Sequence, residues 1–258
     1  MTSQKYQTEA IVLQEYRVGE ADKVLTLYSP GQGKFRAVAR GVRRLGSRLG
    51  GNVALLSHSL LQLAQRRSLD LITQAQTVDS FMSMKSDLRR LSCGIYAAEL
   101  VTAFTPDQLP SQPVFELLRD TLRRLNDPVG QETLLSYFEL HLLHHLGYRP
   151  QLHKCVSCSQ PLKPMAQSSS PAQGGILCPE CGWKEPLAGA ISLNALKVLR
   201  LWQDCDYPTA ARVRLDQQLS AEVRQLMKDY VSYLLDGKVK SLSWLEKLGQ
   251  APPPPAGQ

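Results

Sequence analysis

Two cysteine pairs, Cys155-Val-Ser-Cys158 and Cys178-Pro-Glu-Cys181, constrain this chain more than any other feature of its 258 residues. A C-x-x-C turn lets both sulfurs point inward at one ion, and two such turns 19 residues apart have the spacing of a zinc ribbon. Four thiolates complete a tetrahedron of bonds about 2.3 Å long and leave no position for water, so the metal they hold is structural. Iron is the alternative ion that the same spacing allows. Two disulfides are the other pairing, and a chain with no apolar signal segment in MTSQKYQTEA argues against them. The stretch between the pairs is rich in Ser, Pro and Gly, so metal binding supplies much of its folding energy. Cys93 and Cys205 lie in helical patterns and read as small buried hydrophobes.

Hydrophobic periodicity divides the rest. Up to Asp79 the runs TEAIVLQEY, DKVLTLYS, KFRAVA, VALLSHSLLQL and LDLITQAQTV are alternating or β-branched and separated by glycine-bearing turns. Five short strands without a long helix predict a small closed barrel, of the OB or SH3-like kind. From Asp79 or Ser80 the period becomes helical. One helix is expected through MSMKSDLRRLSCGIYAAELVTAF and another from Ser111 to Asn126-Asp127-Pro128. A third, ETLLSYFELHLLHHL, stops at Gly147 and puts Leu134, Leu135, Phe138, Leu142 and Leu146 on one face. Helices resume at Ser192, after Pro208 and at Ser220. The tail APPPPAGQ reads as disordered.

Charge is distributed unevenly. The net charge is +7, and eleven cations against six acids through residue 80 account for +5 of it. Between Gly33 and Gly51 stand Lys34, Arg36, Arg40, Arg43, Arg44 and Arg48 with no acid, interleaved with glycines that let a backbone approach phosphate. A segment built only to fold alternates its signs, so this run points to a polyanion outside the chain. Tyr6, Tyr16, Tyr28 and Phe35 are the nearby aromatics, each either a stacking platform for a base or part of the barrel core.

Catalytic patterns are missing. His141 and His145 are one turn apart with no acid beside them and read as a polar helix edge. The sequence holds no HExxH, GxxxxGK[ST], GxGxxG or GxSxG, so neither nucleotide hydrolysis nor any other enzymatic activity is expected, and no nucleotide cofactor. No apolar run approaches the roughly 20 residues that cross a bilayer, and a cytoplasmic location follows as the expectation.

The stretch Thr8–Arg44 has a GEAD turn, GK before the third strand, and ARG followed by further cations. It resembles the N-terminal region of the RecO family of bacterial recombination mediators. FELHLLHHLGYRPQLHKCVSC, then GGILCPEC and GAISL, are similar to that family's entry to its zinc module and exit from it, and YAAEL and VFELLRDTLRRL to its intervening helices. The resemblance runs from Thr8 to about Leu235. Two features depart from it: Ser159 stands where the family frequently has glycine, and the proline tail is foreign to it.

The resemblance implies an α+β architecture. An OB-fold β-barrel of five strands occupies 1–79, and an α-helical domain spans 80–149 and 190–248. A four-cysteine zinc-ribbon module, 150–189, is inserted in the helices, and a proline-rich tail follows at 249–258. It also implies binding of ssDNA and dsDNA, annealing of complementary strands, and assistance from RecR in loading RecA onto DNA coated with the single-stranded-DNA-binding protein SSB. Carried over by position, Lys34, Arg36, Arg40, Arg43 and Arg44 fall in the basic part of the OB domain, Arg48 extends the run, and Cys155, Cys158, Cys178 and Cys181 match the ligands of one Zn2+. A protein-interaction scaffold and an RNA-binding OB and zinc-ribbon protein are the rival readings.

Overall fold

The computed structural model of the chain describes residues 4–127, 133–237, 239 and 241. Five strands come first: β1 (Lys5–Val18), β2 (Asp22–Ser29), β3 (Gly33–Ala39), β4 (His58–Ala64) and β5 (Asp70–Asp79). They close into a barrel in the order β1-β2-β3-β5-β4, the OB topology expected. Closure depends on β1 being long enough to pair with both β2 and β4, with a bulge between Val12 and Gln14 where it bends from one to the other. The parallel pairs Ala37↔Asp70 and Val38↔Leu71 seal the seam.

Alternation fills the interior. Ala10, Val12, Leu25, Leu27, Phe35, Ala37, Ala39, Leu61, Leu63 and Ile72 form one buried cluster, and their strand neighbours point outward. Phe35 and Tyr28 are buried, so neither is an open stacking platform. Strand β4 starts only at His58: the first residue of VALLSHSLLQL ends a short 3-10 turn, Gly51–Val53, and Leu56 adopts φ +61.

The first helical run is interrupted. Helix α1 spans Met82–Lys85 and α2 Leu88–Phe104, where one continuous helix was expected. Asp87 takes an extended conformation and its carboxylate accepts from the Arg90 amide, so a residue suited to capping starts a new helix instead of continuing the old one. Helix α3 (Gln112–Asn126) packs with α2, and both lie against the barrel, over β2 and β1 respectively. These elements, with Val239 and Ser241, form one compact unit.

Residues 133–237 belong to a second compact unit. Its central helix, α4 (Leu134–His145), is buried at Ser136, Tyr137, Glu139 and Leu140 as well as at Leu134, Phe138 and Leu142. It is enclosed on several sides, not presenting a single apolar face. Strands β6 (Gln167–Ser170), β7 (Gly175–Leu177) and β8 (Gly189–Ile191) make a sheet in the order β7-β6-β8, and α5 (Pro179–Gly182) carries Cys181, with Cys178 as the extended residue that precedes it. Helices α6 (Leu193–Asp204), α7 (Tyr207–Ala210) and α8 (Gln217–Leu234) complete the unit. The cap of α6 is Ser192, as expected, whereas α8 begins earlier than Ser220, at Asp216. The proline-rich tail lies outside the described residues, and among those described no helix is long and apolar enough to cross a membrane.

Candidate nucleic-acid interface and metal centre

Strand parity sorts the six cations. Phe35, Ala37 and Ala39 face the barrel core, so Lys34, Arg36 and Val38 face outward, and Arg40 follows in the same register. The loop after β3 is anchored: Val42 and Val53 are buried in the core, Leu49 packs on it, and the Arg43 amide donates to the Ala21 carbonyl at 3.0 Å. The Asp22 carboxylate accepts the Gly41 amide at 2.7 Å. The guanidinium groups of Arg40, Arg43, Arg44 and Arg48, like that of Arg36, extend into solvent, and none makes an ion pair or hydrogen bond with another described residue. Five like charges thus stand on β3 and the anchored loop after it with no counter-ion among the described residues.

Lys34 stands apart. Its side chain is only 14% exposed, and its ammonium donates to the carbonyl oxygens of Thr102 at 2.7 Å and Thr105 at 2.6 Å, with Asp107 at 3.3 Å. Those carbonyls end α2, where helix geometry leaves acceptors without intrahelical donors and a cation is favoured. Gly33 makes the approach possible, because a Cβ there would collide with the Leu109 carbonyl. The Lys34 carbonyl in turn accepts the Gln108 amide at 2.8 Å.

The outer surface beside the arginines breaks the usual polar-out pattern. Tyr16 pairs with Val24, Val24 with Val38, and Val38 with Leu71, so four apolar side chains form one row across β1, β2, β3 and β5. Tyr16 is 52% exposed, and the other three are half-buried. Arg36 on β3 and Arg40 just past its end flank Val38. Of the four aromatics weighed in the sequence, Tyr16 alone is exposed: Tyr6 is half-buried and donates to Asp70 at 2.5 Å. The row was missed, although DKVLTLYS, apolar at Val24 as well as at Leu25 and Leu27, carried the signal of a strand covered on both faces.

All four cysteines of the two pairs come together. Their sulfurs lie within 4.8 Å of one another, and Cys158 Sγ is 3.9 Å from Cys178 Sγ. A tetrahedron of 2.3 Å bonds has edges of about 3.8 Å. The donors therefore fit Zn2+, and the ion when bound would cross-link the two turns. Tight hairpins shape each turn: the Ser159 amide donates to Cys155 O at 2.9 Å and the Gly182 amide to Cys178 O at 2.8 Å. Burial opposes the Cys155 thiolate, yet the backbone amides of Cys158, Cys178 and Ser157 outweigh it and bring the thiol down to about 6. Ser159 adopts φ +62, the left-handed region that glycine enters at no steric cost.

His141 Nε2 donates to the Trp202 carbonyl, 2.8 Å away, and its ring lies against Tyr137 with centroids 4.1 Å apart. It is a packed helix residue, consistent with the absence of an adjacent acid.

Known proteins match along nearly the whole length. A model described as the N-terminal part of recombination protein O matches residues 1–81, and one for its C-terminal part matches 85–243. A DNA repair protein RecO from Roseiflexus sp. (strain RS-1) is 38% identical over 250 residues, covering 97% of this chain and 88% of that protein. One from Symbiobacterium thermophilum is 35% identical, covering 95% of this chain and 98% of its own. Another, from Dehalococcoides mccartyi, is 34% identical over 95% of this chain and 97% of its own. With both halves matched in order and relatives aligned nearly end to end, the chain belongs to the recombination protein O family.

Proposed function

We propose that this chain is a non-enzymatic DNA-binding mediator of repair and recombination, which holds single strands on its barrel and promotes their pairing. The observation that carries the reading is the set of five guanidinium groups, at Arg36, Arg40, Arg43, Arg44 and Arg48, that no described residue neutralises. Phosphates supply the missing charge. Two strands bound to the same cations repel each other less, and base pairing then drives annealing without ATP. The row Tyr16–Val24–Val38 gives bases an apolar surface beside those phosphates. The four-cysteine centre holds its module together. Assistance from RecR in loading RecA on SSB-coated DNA enters the proposal from the family to which the chain belongs.

Annealing of complementary oligonucleotides coated with cognate SSB tests it, followed by fluorescence without ATP. The native chain should accelerate annealing and an Arg40→Ala, Arg43→Ala, Arg44→Ala variant should not. Equal rates for the variant and native chains would remove the basic loop from the mechanism. DNA-independent complexes that persist in high salt would instead favour a protein scaffold.

A further inference from the structure

The largest exposed ring of the described chain lies far along the sequence from the basic loop. Trp183 is 77% exposed, two residues after Cys181 in the turn that follows α5. The module that carries it buries only a few apolar side chains, among them Leu152, Ile176, Leu177 and Ile191. A tryptophan could add about 150–250 Å² of buried surface to so small a core. It faces water instead.

The turn beneath it is fixed. The amides of Lys184, Glu185 and Ala188 donate to the carbonyls of Cys181, Gly182 and Glu185 at 3.2, 3.1 and 3.1 Å. The Glu185 carboxylate accepts from Gln173 at 2.7 Å, and Gly182 packs so closely on Ser168 that any side chain there would displace it. The root of the ring is thus ordered while its surface is open. Lys184 adds charge, with its ammonium 5.5 Å from the Trp183 ring centroid.

We propose that Trp183 and Lys184 form a second contact for single-stranded nucleic acid, with a base stacked on the indole and the adjacent phosphate on the ammonium. An exposed ring next to one cation is the minimal unit by which single strands are bound without sequence preference. The side chains that pin the turn, Ser168 and Gln173, are polar, and Leu187, four residues on, is the next exposed apolar side chain along it. A protein hot spot would sit in a well-packed pocket at the centre of a larger apolar core. The inference rests on the reading of this chain as a nucleic-acid-binding protein, but uses none of the barrel's cations.

The experiment is titration of the full, metal-loaded chain with poly(dT), reading tryptophan emission together with anisotropy of labelled poly(dT). Trp183→Phe keeps a stacking ring and removes the fluorophore, so its loss of signal assigns the change to Trp183 over the other two tryptophans of the sequence, Trp202 and Trp244. The native chain should show saturable quenching that Trp183→Phe abolishes while still binding. Trp183→Ala, checked for retained metal content, should bind about five- to a hundredfold more weakly with an unchanged salt slope, because a stacked ring releases no counter-ions. Lys184→Gln should make that slope shallower by about 0.7. Native-like binding by Trp183→Ala, or saturation by anisotropy without any change in Trp183 emission, overturns the proposal while leaving the barrel reading intact. Failure of the barrel reading looks different: the triple arginine variant then keeps its affinity and its slope.

Discussion

The Lys34 ammonium lies 2.6 Å from the Thr105 carbonyl oxygen, joining the start of β3 to the end of α2. One cation of the basic run is therefore a brace, and the remaining five are free to meet a partner. Lys34→Met keeps the aliphatic stem and leaves the Thr102 and Thr105 carbonyls without their donor, which costs about 1–3 kcal/mol. Denaturant unfolding should show that loss while the salt dependence of single-strand binding stays native. The Arg40, Arg43, Arg44 triple variant should do the reverse. If each arginine meets one phosphate, its log–log salt slope falls by about 2, from roughly 0.7 per contact. A Lys34 variant with native stability and a reduced slope would return that residue to the interface.

The barrel was legible because its core residues alternate over short, glycine-bounded runs, and that local period survives folding. The metal centre was legible because four thiols at C-x-x-C spacing have few other uses. Lys34 was not, since its role depends on a helix end some seventy residues away that no local pattern announces. Strand β6 was hidden for another reason. Gln-Ser-Ser-Ser has no apolar alternation, and it forms the middle strand because Leu177 and Ile191 lie opposite it and Gly182 packs on Ser168. The break at Asp87 was also hidden, because the apolar spacing on either side reads as one helix while the carboxylate caps a new one.

Removal of the metal should melt the small sheet and spare the barrel. Four thiols within 4.8 Å repel once ionised, and few buried apolar side chains are available to hold the turns without the ion. Metal analysis of protein purified without chelator should give one zinc per chain. After chelation, hydrogen exchange should accelerate at Ser168 and Ile176 but not at Leu25 or Leu61. Unchanged protection at Ser168 would show that the module folds without its ion.

Ser159 holds φ +62 next to the first cysteine pair. An L-residue there is strained by about 1–2 kcal/mol, and glycine relieves this at an entropic cost of about 0.5–1 kcal/mol. Because the module's folding is coupled to the metal, Ser159→Gly should tighten zinc binding several-fold in a chelator competition. Gln108→Gly, which relieves a similar φ of +57 far along the chain from the cysteines, should leave zinc affinity unchanged. Equal effects of the two substitutions would show that the strain at Ser159 is not transmitted to the ligands.

His58 is buried in the barrel unit, its Nε2 2.9 Å from Glu9 and its ring edge-on to Phe115, while its Nδ1 has no partner. Burial lowers its pKa, against the pull of Glu9, and the charges of Arg123 and Arg119 act in the same direction as burial. The folded chain therefore keeps this imidazole neutral at a pH where the unfolded chain, at about 6.5, already binds a proton. The stability is fully present above that value and is lost as pH falls toward the lower folded pKa, by at most about 1.4 kcal/mol per pH unit. His141 and His145, also lowered by burial, add loss of the same sign. Urea unfolding between about pH 8 and about pH 5 should show the decline, and His58→Gln should flatten its share of it. A pH dependence as steep in His58→Gln as in the native chain would assign the decline elsewhere.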